Sequence, residues 1–126
     1  MNILGIGTDL VALARIETLL ARFGDKFIAR ILAPDEKVHY EQSANSVSYF
    51  AKRFAAKEAV AKAFGTGIGA NLAFNEISIT NLESGQPVVS FLGKSKGYVE
   101  TLNIQQIHIS LSDEKLYALA FVVILI

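Results

Sequence analysis

Residues 47–64 read VSYFAKRFAAKEAVAKAF and form the strongest structural signal in the sequence. It is rich in Ala, Lys and Phe, which predicts the longest helix of the chain. On a helical wheel Phe50, Phe54 and Glu58 fall on the same face, so one carboxylate lies on an aromatic stripe. Burying that carboxylate without a partner would cost several kcal/mol, and its position therefore needs an explanation.

The charges that flank Glu58 allow two interpretations. In the first, Glu58 and Lys62 form an i,i+4 ion pair worth a few tenths of a kcal/mol. In the second, Glu58 is held at the rim of a cleft as a ligand for a hard metal ion. The cations Arg53, Lys57 and Lys62 then line one side of the cleft and face phosphate oxygens. The glycine loop that follows, residues 65–69, either only ends the helix or donates backbone N–H groups to an anion.

The segment before this helix begins with a short apolar run, residues 3–6, ILGI. This run predicts a strand that ends in a turn at residues 7–9. Apolar residues then recur at spacings of three and four, so residues 10–23 are predicted to be helical. Asp9 lies between the two elements, where it is either an N-cap or a metal ligand. The Gly-Ile-Gly sequence in this region lacks the third glycine of a dinucleotide fingerprint.

The second half of the chain carries strand patterns. Residues 107–112 alternate strictly and place His108 on a polar face, where it is either solvated or in contact with phosphate. Residues 116–126 are apolar on both faces, which predicts either a central strand covered by the chain's own helices or a surface between copies of the chain. We expect an α+β fold, with helices mainly in the N-terminal half packed on a largely antiparallel sheet. The length fits a single domain over residues 1–126.

Composition excludes several function classes. Twelve basic and twelve acidic residues give a formal net charge of +0, which argues against a broad electrostatic grip on nucleic acid or on a membrane surface. The apolar C-terminal run is far shorter than the roughly 20 residues that a membrane helix needs. The chain has no cysteine, so disulfides, thiolate metal sites and cysteine nucleophiles are impossible. This composition fits a cytoplasmic location.

The combination of acids and bases points to chemistry on phosphates. Two separated carboxylates with clustered Lys and Arg suit Mg²⁺, which prefers oxygen ligands and usually binds together with substrate phosphates. The sequence has no nucleophile elbow and no His-rich metal spacing. We therefore expect a reaction at a phosphate or diphosphate.

Four stretches carry a resemblance to a known family: GIGTDLV at 5–11, ARI at 14–16, RFAAKEAVAKAFGTG at 53–67 and HISLS at 108–112. Together they resemble the holo-[acyl-carrier-protein] synthases, the short single-domain 4′-phosphopantetheinyl transferases. The resemblance implies transfer of 4′-phosphopantetheine from coenzyme A to a serine of apo acyl carrier protein, with release of adenosine 3′,5′-bisphosphate, in support of fatty acid synthesis. It also implies a need for Mg²⁺ and a homotrimer with active sites between neighbouring chains.

The resemblance also implies roles for individual residues. Asp9 and Glu58 would hold the metal, and Lys62 would act with them in catalysis and meet the diphosphate. The remaining residues would serve binding. Arg53 and Lys57 would contact coenzyme A phosphates, and His108 would lie across the interface near the nucleotide. Gly65, Thr66 and Gly67 would line the pocket, and Arg15 and Arg22 would face the carrier protein. Many members carry His where this chain has Asp113, and some bacterial members carry Asp there, so Asp113 is given no catalytic role.

Two other functions stay open from the residues alone. The chain could be a non-catalytic module that binds coenzyme A or a nucleotide, in which the cations hold phosphate and no reaction follows. It could also be a purely structural oligomer, in which Glu58 and Lys62 form only a surface pair. The base that takes the proton of the carrier serine is not assigned by the sequence.

Overall fold

The computed structural model describes residues 1–126. Helices fill most of the first half, and four of the five strands lie in the second. The elements, in chain order, are β1 (Ile3–Ala12), α1 (Leu13–Phe23), α2 (Asp25–Ile31), α3 (Pro34–Gln42), α4 (Ser46–Phe64), a 3-10 turn (Phe74–Glu76), β2 (Ile77–Asn81), β3 (Pro87–Phe91), α5 (Gly93–Glu100), β4 (Gln106–Asp113) and β5 (Tyr117–Leu125).

All strand pairs are antiparallel. One sheet has three strands in the order β1-β5-β4, and β2 and β3 form a separate hairpin. Helix α4 packs on one face of the three-stranded sheet, which we call the inner face, and carries most of its own residues into the core. The prediction of an α+β fold with an antiparallel sheet is confirmed.

Two glycines on β1 allow helix α4 to lie directly on the sheet. A Cβ atom at Gly5 would overlap the carbonyl oxygen of Ala63, and one at Gly7 would overlap that of Ala59. The helix side of this contact consists of alanines, so backbone approaches backbone. The Gly-Ile-Gly sequence therefore serves close helix–strand packing rather than a phosphate-binding turn.

Strand β1 is longer than the sequence predicts. It continues through residues 7–9 to Ala12, because each of these residues pairs with a residue of β5, up to Ala12 opposite Tyr117. Helix α1 begins only at Leu13, and its N-cap is Ala12, which makes no side-chain cap bond. The predicted turn at residues 7–9 and the N-cap interpretation of Asp9 are therefore wrong.

The outer face of β1 and β5 is largely apolar and open to solvent in the single chain. Along β5, Ala118, Ala120, Val122 and Ile124 are buried on the inner face, whereas Tyr117, Leu119 and Phe121 are exposed on the outer face. On the outer face Phe121 is 46% exposed and lies opposite Thr8 of β1. The alternative in which the chain's own helices cover both faces of the last strand is wrong. None of the helices combines the length and apolarity needed to cross a membrane.

Candidate active site

Asp9 and Lys62 meet where strand β1 passes under helix α4. Asp9 follows Gly7 by two residues, so both belong to the inner face of the sheet. Lys62 Nζ donates to Asp9 Oδ1 at 3.0 Å and to the carbonyl oxygen of Thr8 at 3.0 Å. The close approach of helix and strand at Gly7 therefore brings a carboxylate on the strand into contact with an amine on the helix.

Glu58 lies one helical turn before Lys62 and is half-buried. Burial raises the pKa of the Glu58 carboxyl and the negative charge of Asp9 raises it further, while Lys62 and Arg15 act against this shift. Lys62 forms its ion pair with Asp9 and not with Glu58. The interpretation of Glu58 and Lys62 as an ordinary i,i+4 surface pair is therefore wrong.

The donor set at this point fits a magnesium ion that shares its coordination with substrate. Asp9 and Glu58 supply two carboxylates, and the charge of Asp9 adds to the rise in the pKa of Glu58 that burial causes. The chain has no cluster of three or more His, Cys, Asp or Glu residues that could hold a metal alone. Mg²⁺ characteristically takes one or two protein carboxylates and completes its shell with water and phosphate oxygens.

Arg15, at the start of helix α1, lies close to this pair of acids. Its guanidinium carbon is 5.7 Å from the centre of the Phe54 ring, and its charge lowers the pKa of Glu58. Arg22, two turns further along α1, lies 5.1 Å from the ring centre of its neighbour Phe23. Both arginines are exposed. Their contact with a carrier protein stays a prediction.

Lys57 lies in the core and not in the site. Its amine donates to Glu36 Oε1 at 2.6 Å, to the carbonyl oxygen of Phe74 at 2.9 Å, and to that of Ile77. Neither side chain of the Lys57–Glu36 pair is exposed, and burial lowers the pKa of Lys57. All three donors of the ammonium group are taken. The prediction that Lys57 contacts coenzyme A phosphates is therefore wrong.

Arg53 lies on the opposite flank of α4 from Glu58. The two residues are five positions apart, so they are separated by about 140° around the helix. Arg53 is 6% exposed, its guanidinium carbon is 4.5 Å from the centre of the Tyr49 ring, and its Nη2 donates to Asn81 Oδ1 at 3.3 Å. It lines two adjoining cavities of about 170 and 230 Å³. Its contact with coenzyme A stays a prediction.

Lys52 lines the same two cavities and was missed in the sequence. It directly precedes Arg53, so the two side chains lie about 100° apart on the helix. That adjacency is the signal that could have found it. Lys52 is paired with Asp113, the residue that departs from the pattern of the resembling family.

The three glycines of the loop after α4 use their amides in hydrogen bonds within the chain. Gly65 N donates to the carbonyl oxygen of Lys62, Gly67 N to that of Ala61, and Gly69 N to that of Leu72. Gly65 and Gly67 have positive φ values of 81° and 67°, which explains why glycine stands there. These three glycine amides are used within the chain, and anion binding by the rest of the loop stays a prediction. The lining of a pocket by Gly65, Thr66 and Gly67 stays a prediction.

His108 lies on the outer face of the sheet. It stands opposite Val123 of β5, is exposed, and its Nε2 is 3.0 Å from Gln106 Oε1. Asp9 is on the inner face, so the sheet separates His108 from the acids of its own chain. The structure does not bring His108 and Glu58 together within one copy.

This fold and these paired acids define a class of enzyme. The chain belongs to the 4′-phosphopantetheinyl transferase superfamily, whose family model matches residues 5–122. Among its relatives is the holo-[acyl-carrier-protein] synthase of Pectobacterium atrosepticum, which is 47% identical over 98% of both chains.

Solved structures agree with this relationship. The crystal structure of holo-[acyl-carrier-protein] synthase from Neisseria meningitidis is 44% identical, with a TM-score of 0.93 over 98% of both chains. The synthase from Helicobacter pylori in complex with coenzyme A is 38% identical, with a TM-score of 0.84, over 94% of this chain and 98% of that one. The Bacillus anthracis synthase in complex with CoA (3′,5′-ADP) is 36% identical, with a TM-score of 0.81, over 97% and 96%.

Proposed function

We propose that this chain transfers 4′-phosphopantetheine from coenzyme A to a serine of apo acyl carrier protein, as a holo-[acyl-carrier-protein] synthase. The observation that carries the proposal is the ion pair of Asp9 and Lys62 between β1 and α4, with Glu58 half-buried one turn earlier on the same helix. The similarity to synthases over nearly the whole chain, two of them solved with coenzyme A or its nucleotide, supports it.

Asp9 and Glu58 would hold Mg²⁺. When bound, such an ion neutralises charge on phosphate oxygens during transfer. Lys62 would bind the diphosphate through its amine. Without substrate, the hydrogen bonds of Lys62 to Asp9 and Thr8 keep the amine beside the acids. In the reaction the serine oxygen forms a bond to the β-phosphorus, and the bond to the adenosine bisphosphate oxygen breaks. Lys62 would stabilise the negative charge of the leaving group.

The positions of Arg53 and His108 support a homotrimer with shared sites. Arg53 faces away from Glu58 across the helix, and His108 lies on the outer face of the sheet. A single copy therefore presents the acids and these two residues on different sides. A second copy bound to the apolar outer face would bring its own residues to the site and so join the two sets. The single domain over residues 1–126 and a cytoplasmic location stay predictions.

The test is intact-mass spectrometry of purified apo acyl carrier protein after incubation with this chain, coenzyme A and Mg²⁺. We expect a gain equal to one phosphopantetheine group, and no gain with EDTA or with the Glu58→Gln variant. If the folded wild-type protein binds coenzyme A but modifies none of several carrier proteins, the non-catalytic binding module becomes the better account.

A further inference from the structure

A buried ion pair lies next to the candidate site without belonging to it. Glu36 at the start of α3 and Lys57 on α4 have no exposed side-chain surface, and Lys57 Nζ is 2.6 Å from Glu36 Oε1. The same amine donates to the carbonyl oxygens of Phe74 and Ile77. The proposed reaction uses neither charge, so the pair needs a different explanation.

The Glu36 carboxylate is held in place by elements other than α4. Its Oε1 accepts from Ala33 N at 2.9 Å, and its Oε2 accepts from Ile79 N at 2.8 Å. Ala33 precedes α3 and Ile79 lies in β2, so two separate elements orient this carboxylate. Lys57 therefore connects α4 to an acceptor whose position α3 and β2 determine.

The contact between α4 and β1 fixes their distance but leaves the rotation of the helix weakly defined. Ala59 and Ala63 lie against Gly7 and Gly5, so no side chain of the helix is wedged between side chains of the strand at these points. The aromatic residues of α4 pack through apolar contacts, which are not directional. Hydrogen bonds are directional, so the three that Lys57 donates set the rotation of α4 about its own axis.

Glu58 lies between these two contacts on the circumference of α4. It follows Lys57 by one residue and precedes Ala59 by one, so it is about 100° from each around the helix. A rotation of about 10° moves an atom at the surface of a helix by about 1 Å. A displacement of that size can cost about 100-fold in rate when it moves a reacting group.

We propose that Glu36 is a positioning residue for the transfer reaction: by holding Lys57, it fixes the rotation of α4 and so places Glu58 beside Asp9. A buried ion pair is often no more stable than an apolar pair of the same volume, so stability alone does not account for it. Here the pair gives the helix one rotational setting. This inference rests on the proposed function for the role of Glu58.

The test variant is Glu36→Gln/Lys57→Met, which removes both charges together and leaves no buried charge without a partner. It is compared with the wild type, as the full chain, by urea denaturation, by ¹H–¹⁵N NMR and by the kcat of carrier-protein modification. At a temperature where the variant is folded, we expect kcat to fall about 100-fold with KM for the carrier protein unchanged. We expect amide shifts to change at Gly5, Gly7 and Asp9 as well as near the substitutions.

The same two substitutions are also made in the Glu58→Gln variant. If the Glu36–Lys57 pair acts through Glu58, removing it there should lower kcat little further, because the positioned group is already lost. A merely structural pair would lower kcat by the same factor in both backgrounds. Equal factors, or amide-shift changes confined to the neighbours of Glu36, overturn the proposal.

Ile31→Val is the matched control for stability, because Ile31 is buried on α2 and outside this network. It should change neither kcat nor the amide shifts of Gly5 and Gly7. If the double variant does not fold, Glu36→Gln alone is measured in the same way, since its amide oxygen still offers Lys57 an acceptor.

Failure of this inference and failure of the proposed function are distinguishable. A wild type that modifies no carrier protein, together with shift changes at Gly7 in the variant, defeats the proposed function and leaves the control of α4 by Glu36 standing. Transfer by the wild type with an unchanged kcat in the folded variant defeats only the positioning role of Glu36.

Discussion

At the scale of single residues, Lys57 and Glu58 are neighbours on α4 with opposite surroundings. A step of about 100° around the helix turns Lys57 into the core, where Glu36 neutralises it, and leaves Glu58 at the edge of the helix–strand contact. Removing one partner of such an enclosed pair is strongly destabilising, so Lys57 is a residue of the fold. Glu58 is held where burial raises the pKa of its carboxyl, and perturbed pKa values of this kind cluster at functional sites.

We expect Glu58→Gln to reduce carrier-protein modification at least about 100-fold, in line with the loss of one electrostatic contact in a transition state. We expect its melting temperature at neutral pH to be equal to that of the wild type or higher. The pKa of Glu58 is raised in the folded chain, so the folded chain binds more protons than the unfolded one between the ordinary value of 4.5 and the raised value. Wild-type stability therefore falls as the pH rises through that window, and the variant is spared this loss.

Melting curves of both proteins from pH 4.5 to neutrality measure this effect. The difference in melting temperature should grow in favour of Glu58→Gln with increasing pH. A variant that becomes less stable than the wild type as the pH rises would show that Glu58 is a stabilising surface charge.

The place of the candidate site could be predicted because its signal is local. Glu58 stands out as an acid on an apolar helical stripe, and Lys62 follows it by one turn. The burial of Lys57 could not be predicted in this way, because its partner Glu36 lies 21 residues earlier on another helix. The lysine that lines the cavities, Lys52, has no periodic signal at all.

At the scale of elements, strand β1 depends on two glycines that let α4 lie against it. The local sequence Gly-Thr-Asp predicts a turn, whereas the bounds of α4, β4 and β5 are predicted to within one residue. For β1 the pairing with β5 overrides the turn preference, since every residue from Ile6 to Ala12 has a partner on that strand. Pairing between the two ends of a chain cannot be read from a short window of sequence.

We expect Gly7→Ala to lower the free energy of unfolding by about 2–3 kcal/mol, because its methyl group would overlap the backbone of Ala59 and the packing must shift. The variant should also lose transfer activity, since the contact between Asp9 and Lys62 depends on this approach. Urea denaturation measures the first effect and the mass assay the second.

Gly97→Ala is the matched control, because Gly97 lies in helix α5 and a Cβ there meets nothing within 4 Å. This change should stabilise the protein by up to about 1 kcal/mol through helix propensity. Equal stabilities of the Gly7→Ala and Gly97→Ala variants would contradict the close-packing account.

At the scale of the whole molecule, a single chain leaves the apolar outer face of β1 and β5 uncovered. Ile6 and Leu10 are 62% and 61% exposed on β1, and Leu119 and Phe121 are 41% and 46% exposed on β5. These four side chains belong to the same face of the sheet. Exposed apolar patches of this kind mark surfaces that bind another molecule.

We expect Phe121→Asp to convert the assembly to monomers, because a charge would be buried without a partner in the centre of the interface. Native mass spectrometry measures the number of chains. Val38→Asp is the control. Val38 is 54% exposed and lies on α3, which is not part of the three-stranded sheet, so this variant should leave the assembly intact. A wild type that is monomeric, or a Phe121→Asp variant that keeps its mass, would contradict the shared-site homotrimer.

The placement of Arg53 and Glu58 on opposite flanks of one helix has a genetic consequence. If each site takes Glu58 from one copy and Arg53 from the next, two dead variants can rescue each other. Co-assembly of Glu58→Gln with Arg53→Gln in equal amounts should restore about one quarter of wild-type turnover, the fraction of interfaces at which two intact halves meet by chance. Turnover should not recover in either variant alone. It should also not recover when the two variants are assembled separately and then mixed without exchange of chains. A mixed assembly that stays inactive would mean that both residues act within the same copy.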